Sequence, residues 1–129
     1  MEIRIDHVAI WTTDLEKLRL LYTTQFGAVS GKIYSNHSKG FQSYMLSFAS
    51  GPRLEIMTSI TLAEASSASP RPGYAHLALS VGSESEVDTL TDRLRAAGVP
   101  VVDGPRRTGD ECYESVLFDP DGNHIEITV

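Results

Sequence analysis

Two stretches of the chain alternate apolar and polar residues in the same order. Ile5-Asp-His-Val-Ala-Ile-Trp-Thr12 and Tyr74-Ala-His-Leu-Ala-Leu-Ser-Val81 share the central pattern His, aliphatic, Ala, aliphatic, carried by His7-Val8-Ala9-Ile10 and His76-Leu77-Ala78-Leu79. A period of two is that of a half-buried strand. In the second stretch Ala75, Leu77, Leu79 and Val81 take one face, and Tyr74, His76, Ala78 and Ser80 take the other. The histidines thus stand on the less apolar side. A strand that occurs twice with the same outward residue predicts a duplicated module.

The segments after the two strands repeat as well. Beyond the first strand (about 3–12), Thr13 and Glu16 form a capping-box signature. Leu15, Leu18, Tyr22 and Phe26 then fall at helical spacing, and Gly27 is the expected stop. Runs at about 29–35, 41–49 and 53–58 read as strands, joined by the turn residues Asn36-His-Ser-Lys-Gly40 and Ser50-Gly-Pro52. After the second strand (74–81), Ser83 and Glu86 form the box. Val87, Leu90, Leu94 and Ala97 form the buried stripe and Gly98 the stop. Further strands are expected at about 100–106, 112–118 and 124–129, the last two joined by Asp119-Pro-Asp-Gly122. Residues 59–73, which include Ser66-Ser-Ala-Ser-Pro-Arg-Pro-Gly73, read as a linker. The paired histidines, helix caps, stop glycines and late turn glycines (Gly51, Gly122) stand 69, 70, 71 and 71 residues apart. The expectation is an α+β domain over 1–129 built from two βαβββ modules, about 1–58 and 74–129.

Length and charge narrow the class. A chain of 129 residues makes one domain with a sizeable core. The net charge of -6, with no basic block, argues against nucleic acid or an anionic membrane surface as partner. The single cysteine, Cys112, excludes an internal disulfide and suits a reducing compartment. Glu2, Arg4, Asp6, His7, Asp14 and Glu16 leave no signal-peptide core, and no apolar run approaches the ~20 residues that cross a bilayer. A cytoplasmic protein is expected.

Four residues after each late turn glycine stands a glutamate, Glu55 in Leu54-Glu-Ile-Met57 and Glu126 in Ile125-Glu-Ile-Thr128. With the aliphatics inward, both glutamates take the face type that the histidines occupy. A lone strand glutamate is ordinarily a solvated residue, and a lone strand histidine a hydrogen-bonded structural one. Equivalent places in a repeat make the four a set. Two neutral imidazoles and two carboxylates suit a divalent ion such as Ni²⁺, Co²⁺, Zn²⁺, Mn²⁺ or Fe²⁺. An octahedral ion with these ligands keeps two positions for substrate oxygens, acts as a Lewis acid, and leaves a carboxylate beside it to move a proton. His37 reads as a solvated loop residue. His124 reads as a turn-adjacent surface residue on the face of Glu126, or a lining of the cavity mouth. Cys112 reads as small and buried or half-exposed, with no adjacent base.

These features together resemble the vicinal oxygen chelate superfamily, which contains glyoxalase I, fosfomycin-resistance proteins, methylmalonyl-CoA epimerase, extradiol dioxygenases and bleomycin-binding proteins. The carriers are the paired modules, the His7 strand, Arg53-Leu-Glu55-Ile, Gly73-Tyr-Ala-His76-Leu-Ala-Leu and Phe118-Asp-Pro-Asp-Gly-Asn-His-Ile-Glu126-Ile. The resemblance implies an open cup-shaped mixed sheet with helices outside. The ligand order His7, Glu55, His76, Glu126 is similar to that of small bacterial glyoxalase I enzymes. It implies one Ni²⁺, Co²⁺ or Zn²⁺ per site and a homodimer whose sites join His7 and Glu55 of one subunit to His76 and Glu126 of the other. It also implies isomerisation of a small-molecule hemithioacetal, or a similar α-hydroxycarbonyl adduct, through a metal-bound enediolate, with Glu126 or Glu55 carrying the proton. Two positions depart from the glyoxalase I pattern. Trp11 stands where an arginine usually helps hold glutathione, and Ser59 where an asparagine is common. Both become candidate substrate-binding residues, and the thiol is left open. The alternatives within the same fold are a sequestering module like the bleomycin-binding proteins, and a thiol transferase or ring-cleaving dioxygenase.

Overall fold

The computed structural model describes residues 1–64 and 70–129. Of the expected linker, 65–69 lie outside the described residues. The chain divides into two compact units, Met1–Ala65 and Ser66–Val129.

In the first unit the order is β1 (His7–Trp11), α1 (Leu15–Gln25), β2 (Val29–Ser30), β3 (Tyr34–Asn36), β4 (Phe41–Ser47) and β5 (Arg53–Ser59). The sheet runs β1-β5-β4-β2, with β3 also paired to β4. β1 lies parallel to β5, and the other pairs are antiparallel. In the second unit β6 (His76–Ser80), α2 (Glu84–Ala96), β7 (Val101–Arg107), β8 (Tyr113–Phe118) and β9 (His124–Thr128) form a sheet of order β6-β9-β8-β7. Again the first and last strands pair in parallel. The architecture is α+β, with a mixed sheet in each unit.

Each helix closes the core face of its own sheet. Leu15, Leu18 and Tyr22 of α1 are buried in the same unit as Leu46, Leu54 and Ile56, and Val87, Leu90 and Leu94 of α2 in the same unit as Leu117, Ile125 and Ile127. Each such side chain fully removed from water contributes roughly 1.5–3 kcal/mol. Gly27 (φ +66) and Gly98 (φ +81) take the left-handed conformation just past the helix ends, as their placement predicts.

Local details depart from the sequence reading. The first strand starts at His7 rather than near residue 3, because β5 begins at Arg53, opposite His7. The cap of α1 is Asp14, not Thr13: its carboxylate accepts from Lys17 N–H at 3.1 Å, while Glu16 turns away to the Tyr44 hydroxyl. Ser83 caps α2 as expected, accepting from Glu86 N–H at 3.2 Å. The run 29–35 splits into β2 and β3, and Gly31 N–H bonds back to Met45 O at 2.9 Å between them. Ala97 is exposed at the helix end, and Thr91 takes the remaining buried place on α2. Its hydroxyl hydrogen-bonds Val87 O at 2.6 Å and Ser115 Oγ at 2.7 Å, which makes a polar pair tolerable in the core. Among the described residues no helix is long and apolar enough to cross a membrane.

Candidate metal centre

The histidine and glutamate of each unit are placed by one device used twice. In the parallel β1–β5 ladder His7 stands opposite Arg53 and Ala9 opposite Glu55. In β6–β9 His76 stands opposite His124 and Ala78 opposite Glu126. Leu54, Ile56, Ile125 and Ile127 are buried, so period-two alternation puts both glutamates, and the histidines with them, on the open face. Each glutamate thus lies one same-face step beyond its histidine, roughly 6.6 Å along the neighbouring strand. The residue beside it is an alanine in both units, whose methyl leaves the carboxylate room to lean toward the imidazole.

In the second unit that lean is complete: His76 Nε2 lies 3.2 Å from Glu126 Oε2. In the first, His7 Nδ1 is held by Asp6 Oδ2 at 2.8 Å, and the same oxygen accepts from Arg53 Nη2 at 2.7 Å. The His7 hydrogen bond, and then the Arg53 bond and charge, hold the Asp6 carboxyl below its ordinary range. With Nδ1 occupied, Nε2 is the nitrogen of His7 left to bind a ligand, the usual role of a carboxylate behind a ligating imidazole. Among the described residues no three His, Cys, Asp or Glu side chains gather closely enough to hold an ion; His76 and Glu126 stand in contact, and His7 and Glu55 share one face.

Sequence reasoning missed Asp6 and also Glu114. The latter lies on the open face of β8, opposite Thr128 and two residues from Val116, which faces Glu126. Burial, then the charge of Glu126, push its carboxyl above its ordinary value. Arg106 stands 3.6 Å away at Glu114 Oε1 while its Nε is paired with Asp103 at 2.7 Å. The bulge in β7 that brings Arg106 here needs Gly104, where a Cβ would meet Glu114 O at 2.6 Å. The signal available in sequence was the shared parity of Glu114, Val116 and Phe118. It was masked by Ser115, a polar residue on the core face.

A cavity of about 410 Å³ opens on the same face of the first unit, lined by Lys32, Tyr34, Phe41, Ser43, Met45 and Glu55. Trp11, about half exposed, sets its ring against Phe41 with centroids 6.1 Å apart. Ser59, opposite Phe41 at the end of β5, spends its hydroxyl on Thr61, accepting from N–H at 3.2 Å and meeting Oγ1 at 2.9 Å.

The sequence matches the family model described as Glyoxalase/Bleomycin resistance protein/Dioxygenase superfamily over residues 4–127. The chain belongs to that superfamily. Solved structures with a similar fold include the trypanothione-dependent glyoxalase I of Leishmania major, at 21% identity and TM-score 0.79 over 98% of this chain and 86% of that one. A glyoxalase family protein from Enterococcus faecalis matches at 24% identity and TM-score 0.80, over 97% and 96% of the two chains. A glyoxylase/bleomycin resistance protein/dioxygenase domain from Frankia sp. matches at 19% and 0.84, over 100% and 98%. At these identities the likeness is one of fold.

Within this superfamily domain the remaining candidates are His37, His124 and Cys112. His37 is exposed in the β3–β4 turn. His124 belongs to β9, beside His76, and stacks on Phe118 with ring centroids 4.8 Å apart. Cys112 is exposed, and the negative charge of Asp110, then desolvation, push its thiol above its ordinary value.

Proposed function

We propose that this superfamily member is a divalent-metal-dependent lyase or isomerase of the glyoxalase I type, acting on a hemithioacetal or a similar α-hydroxycarbonyl adduct. The observation that carries the reading is the matched placement of His7 with Glu55 and His76 with Glu126, at one strand offset in two parallel ladders. The donor chemistry fits a borderline ion such as Ni²⁺, Co²⁺ or Zn²⁺, with two imidazole nitrogens and two carboxylates as ligands. The reading includes a homodimer in which His7 and Glu55 of one protomer meet His76 and Glu126 of its partner, and a cytoplasmic setting in which the exposed Cys112 stays reduced.

When bound, the ion supplies Lewis acidity to two neighbouring substrate oxygens. The chain's own residues do the rest. Asp6 fixes the ring of His7 with Nε2 outward. His76, 3.2 Å from Glu126, orients that carboxylate. Glu126 takes the proton from the substrate carbon and returns it to the adjacent one, a role that requires a carboxylate within hydrogen-bond reach of both carbons. Glu55 is the equivalent group of the first unit and the other candidate for that proton.

The test is elemental analysis of gently purified protein, then methylglyoxal assays with several thiols after loading Ni²⁺, Co²⁺ or Zn²⁺. Stoichiometric metal with turnover supports the reading, and a protein that takes up none of the three ions ends it. Half-exposed Trp11 favours a second reading, a sequestering module. That reading requires tight binding without turnover of any hemithioacetal.

A further inference from the structure

We propose that Glu114 is a positioning residue: it fixes the carboxylate of Glu126 from the neighbouring strand, with Arg106 as its counter-charge. The role of Glu126 itself rests on the metal-dependent reading, whereas its placement by Glu114 is independent of any ion. Each of the four strands of the second sheet gives a member to one polar line across the open face. On β7, Arg106 Nε is paired with Asp103 Oδ2 at 2.7 Å, and its Nη1 stands 3.6 Å from Glu114 Oε1 on β8. The side chains of Glu114 and Glu126 are hydrogen-bonded, and Glu126 Oε2 on β9 meets His76 Nε2 on β6 at 3.2 Å. Glu126 is thus gripped from both flanking strands.

The line runs where charge is poorly screened. The Glu114 and Glu126 side chains are 12% and 20% exposed, so water and salt do little to soften their mutual repulsion. Two carboxyl groups held together at that depth call for a cation beside them. Arg106 is that cation. Its Nη1 is buried with no hydrogen-bond partner among the described residues. A buried donor left unsatisfied costs stability, so the worth of this guanidinium lies in its charge.

The first unit lacks the device. Its register puts Ser43 and Tyr34 at the places that Glu114 and Arg106 hold in the second, so Glu55 has neither a carboxyl nor a cation there. Of the two candidate proton carriers, Glu126 is the one held by a neighbouring carboxyl.

The test is a double-mutant cycle read without turnover. Ring signals of the four histidines are followed by NMR at fixed pH in metal-free protein, with His76 assigned by its loss in His76→Asn. Glu114→Ala should move the His76 signal, although β9 lies between the two strands, and leave exposed His37 unmoved. In a Glu126→Ala background the same substitution should leave His76 unmoved too, because the group that carries the effect is gone. Arg106→Gln should also move His76, and adding Glu114→Gln, neutral and still able to hydrogen-bond, should bring the signal back. Titration with Ni²⁺ reads the cycle a second time. Glu114→Ala should weaken binding by about tenfold in the wild type, and by less than about twofold in Glu126→Ala. An unmoved His76 signal in Glu114→Ala, or equal losses of Ni²⁺ affinity in both backgrounds, would overturn the proposal even in an active lyase. If the protein takes up none of Ni²⁺, Co²⁺ and Zn²⁺ but His76 follows the cycle, the positioning of Glu126 stands and the metal-dependent reading falls.

Discussion

His76 and Glu126 face each other from parallel strands, with Nε2 3.2 Å from Oε2, although the two residues belong to opposite ends of their module. Neutralising the carboxylate removes one ligand charge and the proposed proton carrier. Glu126→Gln should keep the fold while turnover falls by about 10²-fold or more and metal affinity by at least about tenfold. Calorimetric metal titration and a hemithioacetal assay read both. Full turnover in this variant would remove Glu126 from the chemistry.

In the proposed site Asp6 would act through His7, whose Nδ1 it holds at 2.8 Å. Asp6→Asn is expected to weaken metal binding by about 10–100-fold. Because Asp6 is exposed, the melting temperature of the metal-free protein should stay close to wild type. A competition titration against a metallochromic chelator measures the first, and a thermal melt the second. Unchanged metal affinity would mean that the imidazole of His7 needs no orienting partner.

Asp119 shapes the turn that delivers β9. Its carboxylate accepts from Asp121 N–H at 2.9 Å, Asn123 N–H at 2.8 Å and Asn123 Nδ2 at 2.9 Å. Asp119→Ala should cost about 1–3 kcal/mol in urea unfolding. Burial, outweighing these hydrogen bonds, raises the carboxyl above 3.8. A raised acid favours folding most when it is protonated. Wild type should therefore lose stability relative to Asp119→Asn as pH climbs from about 3.8 through the folded-state value, and the gap should then stay constant. Melts between pH 3 and 7 check the sign.

Thr91 and Ser115 share one buried hydrogen bond at 2.7 Å, between α2 and β8. Thr91→Val strands the Ser115 hydroxyl and should destabilise by about 1–3 kcal/mol. Adding Ser115→Ala should recover part of that loss, which a double-mutant cycle by urea denaturation resolves. Additive losses would mean that the two hydroxyls are energetically independent.

By itself the sequence determined the module count and the strand parity, and it supplied the candidate ligand types. Alternation in His7–Trp11 and His76–Ser80, stop glycines at 27 and 98, and glutamates after Gly51 and Gly122 are local signals, and period two or 3.6 turns each into a face. Only the tertiary structure decided which strands lie side by side. The parallel pairing of β1 with β5 and β6 with β9 joins residues about fifty positions apart, and no local pattern encodes that register. The same long-range pairing set Arg53 beside Asp6, brought Glu114 near Glu126, and gathered Trp11 and Tyr34 about Phe41. Side chains from separate strands meet through ladder geometry, so their neighbours were legible only once the strands were paired.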